Sequence, residues 1–180
     1  MKKVAVHLAT GFEEVEALSI VDVLRRAGID VEIVSVTKDW LVTGSHQIAV
    51  KADVLFEEVD YNEVQMIVLP GGKQGAENLF AHEGLRKHIQ AFHEAGKPLG
   101  AICAAPGVLG RMGLLQGVEA TSYPAFYQYL KGAKVVDKPA VRDAHFVTGK
   151  GIGTALHFAL ELVALLKSRE LADELKEKMV

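Results

Sequence analysis

At 180 residues, 49% of them apolar and 24% charged, the chain has the make-up of a globular protein long enough to bury a sizeable core. A net charge of −3 without a dense Lys/Arg stripe argues against non-specific nucleic-acid binding, which depends on neutralising phosphates. No apolar run reaches the ~18 residues of a membrane span, and a single cysteine, Cys103, cannot close an internal disulfide, in keeping with a reducing cytoplasm.

Residues 4–9 are predicted to form the first strand. Two lysines precede this run as in a signal peptide, but it is too short for one and is soon followed by Glu13, Glu14 and Glu16. Residues 13–27 carry a helical pattern, with Thr10 and Glu13 at capping-box spacing. At about 100° per residue Glu16 shares a face with Ile20, Val23 and Ala27, whereas Glu14 and Arg25 fall on the opposite, charged side. A second strand is expected over residues 31–36, then a hairpin over 41–50 turning near Thr43-Gly44-Ser45. Residues 66–69 read as a third buried strand ending in Pro70-Gly71-Gly72, with helices over 75–80 and 83–95. Residues 99–102 form a fourth strand that runs through Cys103 towards a helix. Short strands follow at 134–136, 140–142 and 146–148, then closing helices at 155–166 and 170–178, the last with Leu171 and Leu175 on one docking face. Buried apolar strands alternating with amphipathic helices predict one α/β domain over residues 1–180, a sandwich around a mostly parallel sheet.

Ligands of such sheets bind at the carboxyl ends of the strands. Three of those ends carry candidate residues. Cys103 at a strand-to-helix junction would have its thiol pKa lowered by the helix N-terminus; alternatively it is a small buried hydrophobe. Glu16 either reaches solvent at the helix edge or is buried and protonated, able to donate to a thiolate and to act as acid or base. The N–H groups of Gly71 and Gly72, with those of Cys103 and Ala104, can form an oxyanion nest; the other reading of the glycine pair is a tight turn. Gly149-Lys150-Gly151-Ile152-Gly153-Thr154 lacks P-loop spacing and comes too late for a dinucleotide fold, so Thr154 is read as a helix cap. The seven histidines show no zinc signature, since His82-Glu83 is followed by His88 and not by a histidine at i+4; most are expected at the surface.

Several stretches in order resemble the ThiJ/PfpI superfamily, in the branch of the Parkinson-disease protein deglycase. They are Gly11-Phe12-Glu13-Glu14-Val15-Glu16, the run from Val21 to Ile29, Val68-Leu69-Pro70-Gly71-Gly72 with Gly75-Ala76-Glu77-Asn78-Leu79, Ala101-Ile102-Cys103-Ala104-Ala105-Pro106, and Gly151-Ile152-Gly153-Thr154. The resemblance implies a flavodoxin-like three-layer sandwich, a homodimer and a nucleophile-elbow cysteine. Cys103 matches the family's reactive cysteine and Glu16 its protonated glutamate, while Gly72 and Ala104 match the backbone donors facing the reacting oxygen. Glu13 and Tyr123 are expected to line the site. The resemblance further implies cofactor-independent glyoxalase or deglycase chemistry on methylglyoxal-like 2-oxoaldehydes or early glycation adducts of proteins, with no metal, membrane or nucleic-acid partner. Oxidation of the cysteine to a sulfinic acid, as a redox sensor or chaperone-like stress protein, is the alternative. Four positions depart from the pattern. Tyr123 stands where the human-like branch has a histidine. Ala104 stands where the peptidase-like branch has one, which leaves a Cys–His peptidase without support. His46 replaces an arginine near the dimer interface of some relatives, and Ile152 replaces a proline.

Overall fold

The computed structural model describes residues 2–179. In chain order the elements are β1 (Lys3–Leu8), α1 (Glu14–Arg26), β2 (Val31–Ser35), β3 (Leu41–Thr43), β4 (Ala49–Lys51), β5 (Val54–Leu55), β6 (Val64–Leu69), α2 (Lys73–Ala81), α3 (Glu83–Glu94) and β7 (Leu99–Ile102). They continue with α4 (Pro106–Arg111), β8 (Glu119–Ala120), β9 (Lys134–Val135), β10 (Ala140–Asp143), β11 (Phe146–Gly149), α5 (Ala155–Leu166) and α6 (Arg169–Lys178). Seven strands form one sheet in the order β10-β11-β7-β6-β1-β2-β5, parallel throughout except for the β10–β11 edge pair. This is the mostly parallel α/β sheet expected from the residues and the flavodoxin-like architecture that the resemblance implies. The expected hairpin forms as β3 and β4, with its turn displaced slightly towards Gln47. The two-residue strands β5, β8 and β9 are too short to show a period; β9 pairs with β8 outside the main sheet.

Side-chain alternation along the central strands builds two cores. Val4, Val6 and Leu8 of β1, with Met66 and Val68 of β6, pack under α1, α5 and α6. Ala5 and Ala9, with Ile67 and Leu69, face the other way under α2, α3 and α4. Because the side-chain period of a strand is two, both faces of each central strand must be apolar, which explains the unbroken apolar runs of the sequence.

The expectation about the histidines is corrected. Among the described residues only His46 and His157 are exposed. His82 caps α3, its Nδ1 accepting from Leu85 N at 3.0 Å. His7 is fully buried in β1 with Nε2 2.8 Å from the Tyr61 hydroxyl, and Tyr61 stacks on His88. Burial pushes the His7 pKa down to about 3. The unfolded chain therefore binds a proton below about 6.5 that the folded state refuses. Stability is expected to fall by about 1.4 kcal/mol per pH unit from this group as the pH drops from 6.5 towards 3. Urea unfolding at pH 7, 6 and 5 checks this, and His7→Gln, which can still pair with the Tyr61 hydroxyl in either role, is expected to flatten the slope.

Candidate active site

The carboxyl ends of β7, β6 and β1 lie side by side. β1 has β2 on one flank and β6 on the other, so the chain reverses its direction of travel across the sheet at this point, where open α/β sheets form a crevice. Backbone bonds lock the three ends together. Glu13 N donates to Gly71 O at 3.0 Å and Gly75 N to Gly11 O at 3.0 Å. Gly72 has φ 90°, and a side chain there would run into Gly11 O. The tight-turn requirement and the proximity to the site thus coexist at this glycine.

Cys103 occupies the turn after β7 with φ 63°, a left-handed conformation that costs a non-glycine residue about 1–3 kcal/mol. Its neighbours hold it there: Cys103 N donates to Gly149 O at 2.9 Å, Tyr123 N to Cys103 O at 2.9 Å, and Ala105 N to Ile102 O at 3.0 Å. Helix α4 begins only at Pro106 and is six residues long, so little macrodipole reaches the sulfur. The Cys103 N–H is committed to Gly149 and drops out of the expected nest. Gly72 N–H and Ala104 N–H face the thiol and act to lower its pKa.

Glu16 lies on the buried face of α1 with 0% exposure, which removes the solvent-edge reading. Its Oε2 accepts from Gly71 N at 2.9 Å, while Oε1 is buried without a partner of ordinary hydrogen-bond geometry. The expectation that Gly71 joins the oxyanion donors is therefore corrected: its N–H is spent on the Glu16 carboxyl. Gly71 is glycine for another reason. A Cβ there would sit 2.5 Å from both Cys103 Cβ and Glu16 Oε2. Gly71→Ala is expected to cost about 1–3 kcal/mol in unfolding free energy through overpacking and to separate the thiol from the carboxyl, measured by denaturation and by thiol alkylation.

Thiol and carboxyl titrate as a pair. Burial pushes the Glu16 pKa up to about 7, with the Glu13 charge adding to the rise and the Cys103 and Gly71 hydrogen bonds opposing it. Burial and then the Glu16 charge push the thiol up to about 12, against the pull of Gly72 and Ala104. Burial and a neighbouring acid thus act on the thiol against the two N–H donors, and the helix end expected to lower its pKa begins only at Pro106. The first proton leaves the pair near neutral pH. A carboxylate ionising near 7 beside a thiol is placed to accept that thiol's proton.

The other predicted residues lie close by. Glu13, not Thr10, caps α1: its Oε2 accepts from Glu16 N at 2.7 Å, while Thr10 is exposed and the capping box does not form. Glu14 reverses its prediction, being only 2% exposed. The β3–β4 hairpin folds over it, and its carboxyl accepts from His46 N at 2.6 Å and His46 Nδ1 at 2.8 Å. Burial acts to raise the Glu14 carboxyl, but the bonds from His46 hold it below its ordinary range. No helical wheel anticipates this cover, because it comes from a distant hairpin. Glu13, Glu14 and His46 are the group among the described residues whose ligand atoms come within 4.8 Å of one another, and the His46 bonds account for the arrangement without a metal. Thr154 does not cap α5 with its side chain; its hydroxyl donates to Gly151 O at 2.9 Å and closes the turn before the helix. Tyr123 is 51% exposed at the mouth of the crevice. Gly151 and Ile152, dismissed as a failed nucleotide loop, face it there.

Comparison with known proteins gives a consistent picture. A model of the DJ-1/PfpI family matches residues 2–165. The chain is 38% identical over 169 residues to protein DJ-1 homolog B of Arabidopsis thaliana, covering 93% of the chain but 39% of that protein, so it spans well under half the length of this relative. It is 33% identical to a protein named a deglycase in Pyrococcus abyssi, over 92% of the chain and 99% of the relative. Among solved structures, that of Toxoplasma gondii DJ-1, described as oxidized, superposes with a TM-score of 0.95 at 36% identity, covering 99% of the chain and 98% of its counterpart. Among the described residues no helix is long and apolar enough to cross a membrane.

Proposed function

This chain belongs to the DJ-1/PfpI family, and from that premise we propose that it is a cysteine-dependent, cofactor-independent glyoxalase or deglycase acting on 2-oxoaldehydes or their early protein adducts. One observation carries the reading: Cys103 is held at φ 63° beside the buried Glu16 carboxyl, with the Gly72 and Ala104 N–H groups facing its sulfur. The deglycase name of the Pyrococcus relative supports it.

In the proposed reaction Glu16 takes the thiol proton and the thiolate attacks the aldehyde carbon, forming a C–S bond. The developing alkoxide is stabilised by the Gly72 and Ala104 N–H groups and then protonated to a hemithioacetal. Glu16 next removes the C1 proton to give an enediol and returns a proton to C2, leaving a thioester of the 2-hydroxy acid. Water cleaves the C–S bond, the thiol regains its proton and the hydroxy acid leaves. The oxidation of C1 is balanced by reduction of C2, so no external oxidant is needed. Methylglyoxal plus water gives lactate, and lactate formation that requires both Cys103 and Glu16 is the test; wild-type rates in Cys103→Ala and Glu16→Gln would sink it.

A redox role is the second reading. The thiol is partly open to solvent, and the donors that would hold an alkoxide fit a sulfinate equally well. Peroxide titration followed by intact-mass analysis is expected to add two oxygens at Cys103 before any methionine sulfoxide appears. We also propose a cytoplasmic homodimer: α1 exposes Val15 and Leu18, and the β3–β4 hairpin exposes Leu41 and Ile48. Sedimentation of the wild type at micromolar concentration is expected to give twice the chain mass, and Leu18→Lys the single-chain mass.

A further inference from the structure

Around Cys103 three sides are occupied. Glu16 and Gly71 lie on one, and the N–H groups of Gly72 and Ala104 on another. The backbone that ties the elbow to β11 closes the third. The remaining approach runs past Gly151. A Cβ built on Gly151 would sit 4.0 Å from Cys103 Sγ and 3.6 Å from Tyr123 Cδ2, so the bare glycine leaves a passage between that ring and the sulfur. On its other side Gly151 lines an open cleft of about 600 Å³ together with Tyr123, Pro124, Ala125, Ile152 and Gly153, so the cleft meets the sulfur through this glycine. Its one charged wall residue, Lys150, is already paired with Asp137. Tyr123 and Ile152 present their side chains to it at 51% and 52% exposure. Tyr123 is also fixed by its own N–H, which donates to Cys103 O.

From the cleft that begins at Gly151, beside the sulfur, we propose that the protein selects 2-oxoaldehydes carrying an apolar, aromatic-sized substituent, and that Tyr123 and Ile152 determine this specificity. The proposal rests on the Cys103-centred reaction above. An aldehyde carbon bound to Sγ with its oxygen on the Gly72 and Ala104 donors has one direction left for its acyl substituent, which is the passage beside Gly151. A methyl group leaves the cleft empty; a phenyl ring reaches the Tyr123 ring and the Ile152 side chain and removes apolar surface on both partners from water. With no unpaired cation in the wall, a carboxylate-bearing substituent gains nothing there. Two of the four positions where the chain departs from the family pattern, Tyr123 for histidine and Ile152 for proline, build this apolar mouth.

The test compares kcat/KM for phenylglyoxal and methylglyoxal in the wild type, Tyr123→Ala and Ile152→Ser. The wild type is expected to favour phenylglyoxal by about tenfold. Each variant is expected to lose most of that preference, read as the ratio of the two kcat/KM values. A second readout does not need turnover: the alkylation rate of Cys103 by N-phenyl iodoacetamide over that by iodoacetamide, each normalised to glutathione, is expected to be high in the wild type and to drop in both variants. Turnover of both aldehydes with no phenyl preference, or a preference that survives both substitutions, overturns the specificity proposal while the Cys103 chemistry stands. Absence of turnover with either aldehyde overturns the chemistry, and the alkylation ratio then still decides whether the cleft selects aromatic groups.

Discussion

Glu16→Gln is expected to lower lactate formation from methylglyoxal by about 10²–10⁴-fold while the protein stays folded. Glutamine is nearly isosteric and can still accept the Gly71 N–H that Glu16 Oε2 accepts at 2.9 Å, so the junction of β6 with α1 keeps its geometry. It cannot take a proton from the thiol or carry one between C1 and C2. A pH profile separates this from simple misplacement. In the wild type the alkylation rate of Cys103 is expected to rise through about pH 7, where the pair loses its first proton. In Glu16→Gln that inflection disappears, and the thiol, still buried, ionises only above the ordinary ~8.5. The same substitution is expected to stabilise the fold in alkaline solution. Glu16 ionises near 7 when folded and near 4.5 when unfolded. Between those values the unfolded chain has released a proton that the folded chain still holds, so stability falls as the pH rises through this window. Above it the loss is constant at about 3 kcal/mol. Denaturant titrations at pH 4.5 and pH 8 are therefore expected to show little difference between wild type and variant at the lower pH and a more stable variant at the higher one.

Cys103→Gly is expected to abolish turnover and, at the same time, to raise stability by about 1 kcal/mol. The first follows from loss of the sulfur and the second from the shape of the elbow. The elbow holds a non-glycine residue at φ 63°, and glycine adopts that conformation without strain. Cys103→Ser serves as the control: it keeps the strain and the shape but presents a hydroxyl whose proton Glu16 cannot remove to a useful extent at neutral pH, so activity is expected to vanish with stability close to that of the wild type. Thermal melts paired with lactate assays check both variants. Equal melting temperatures for Cys103→Gly and Cys103→Ser would contradict the account of the strained elbow.

The opposite fates of Glu14 and Glu16 show how far the sequence can be read. The position of Glu16 on the apolar stripe of α1 was legible because helical periodicity is a local property, and 0% exposure bears it out. Periodicity also placed Glu14 on the charged side, yet the β3–β4 hairpin arrives from some thirty residues away and covers it through His46. The same limit explains Gly71. Its place at a strand end could be read locally, but the loss of its N–H to Glu16 depends on how β6 docks against α1.

By itself the sequence determined the alternating elements, the parallel sheet, and the convergence of Thr10–Glu13, Gly71-Gly72 and Cys103 at one edge, because buried parallel strands require continuous apolar runs and their crossovers fix which ends meet. Only the tertiary structure decided what surrounds the thiol. A cysteine read as activated by a helix end is instead buried beside a carboxyl, and burial and charge are properties of assembled surroundings that no stretch of chain encodes alone. The left-handed turn at Cys103 and the apolar mouth formed by Tyr123, Gly151 and Ile152 belong to the same class, since each depends on segments brought together only by the packed sheet.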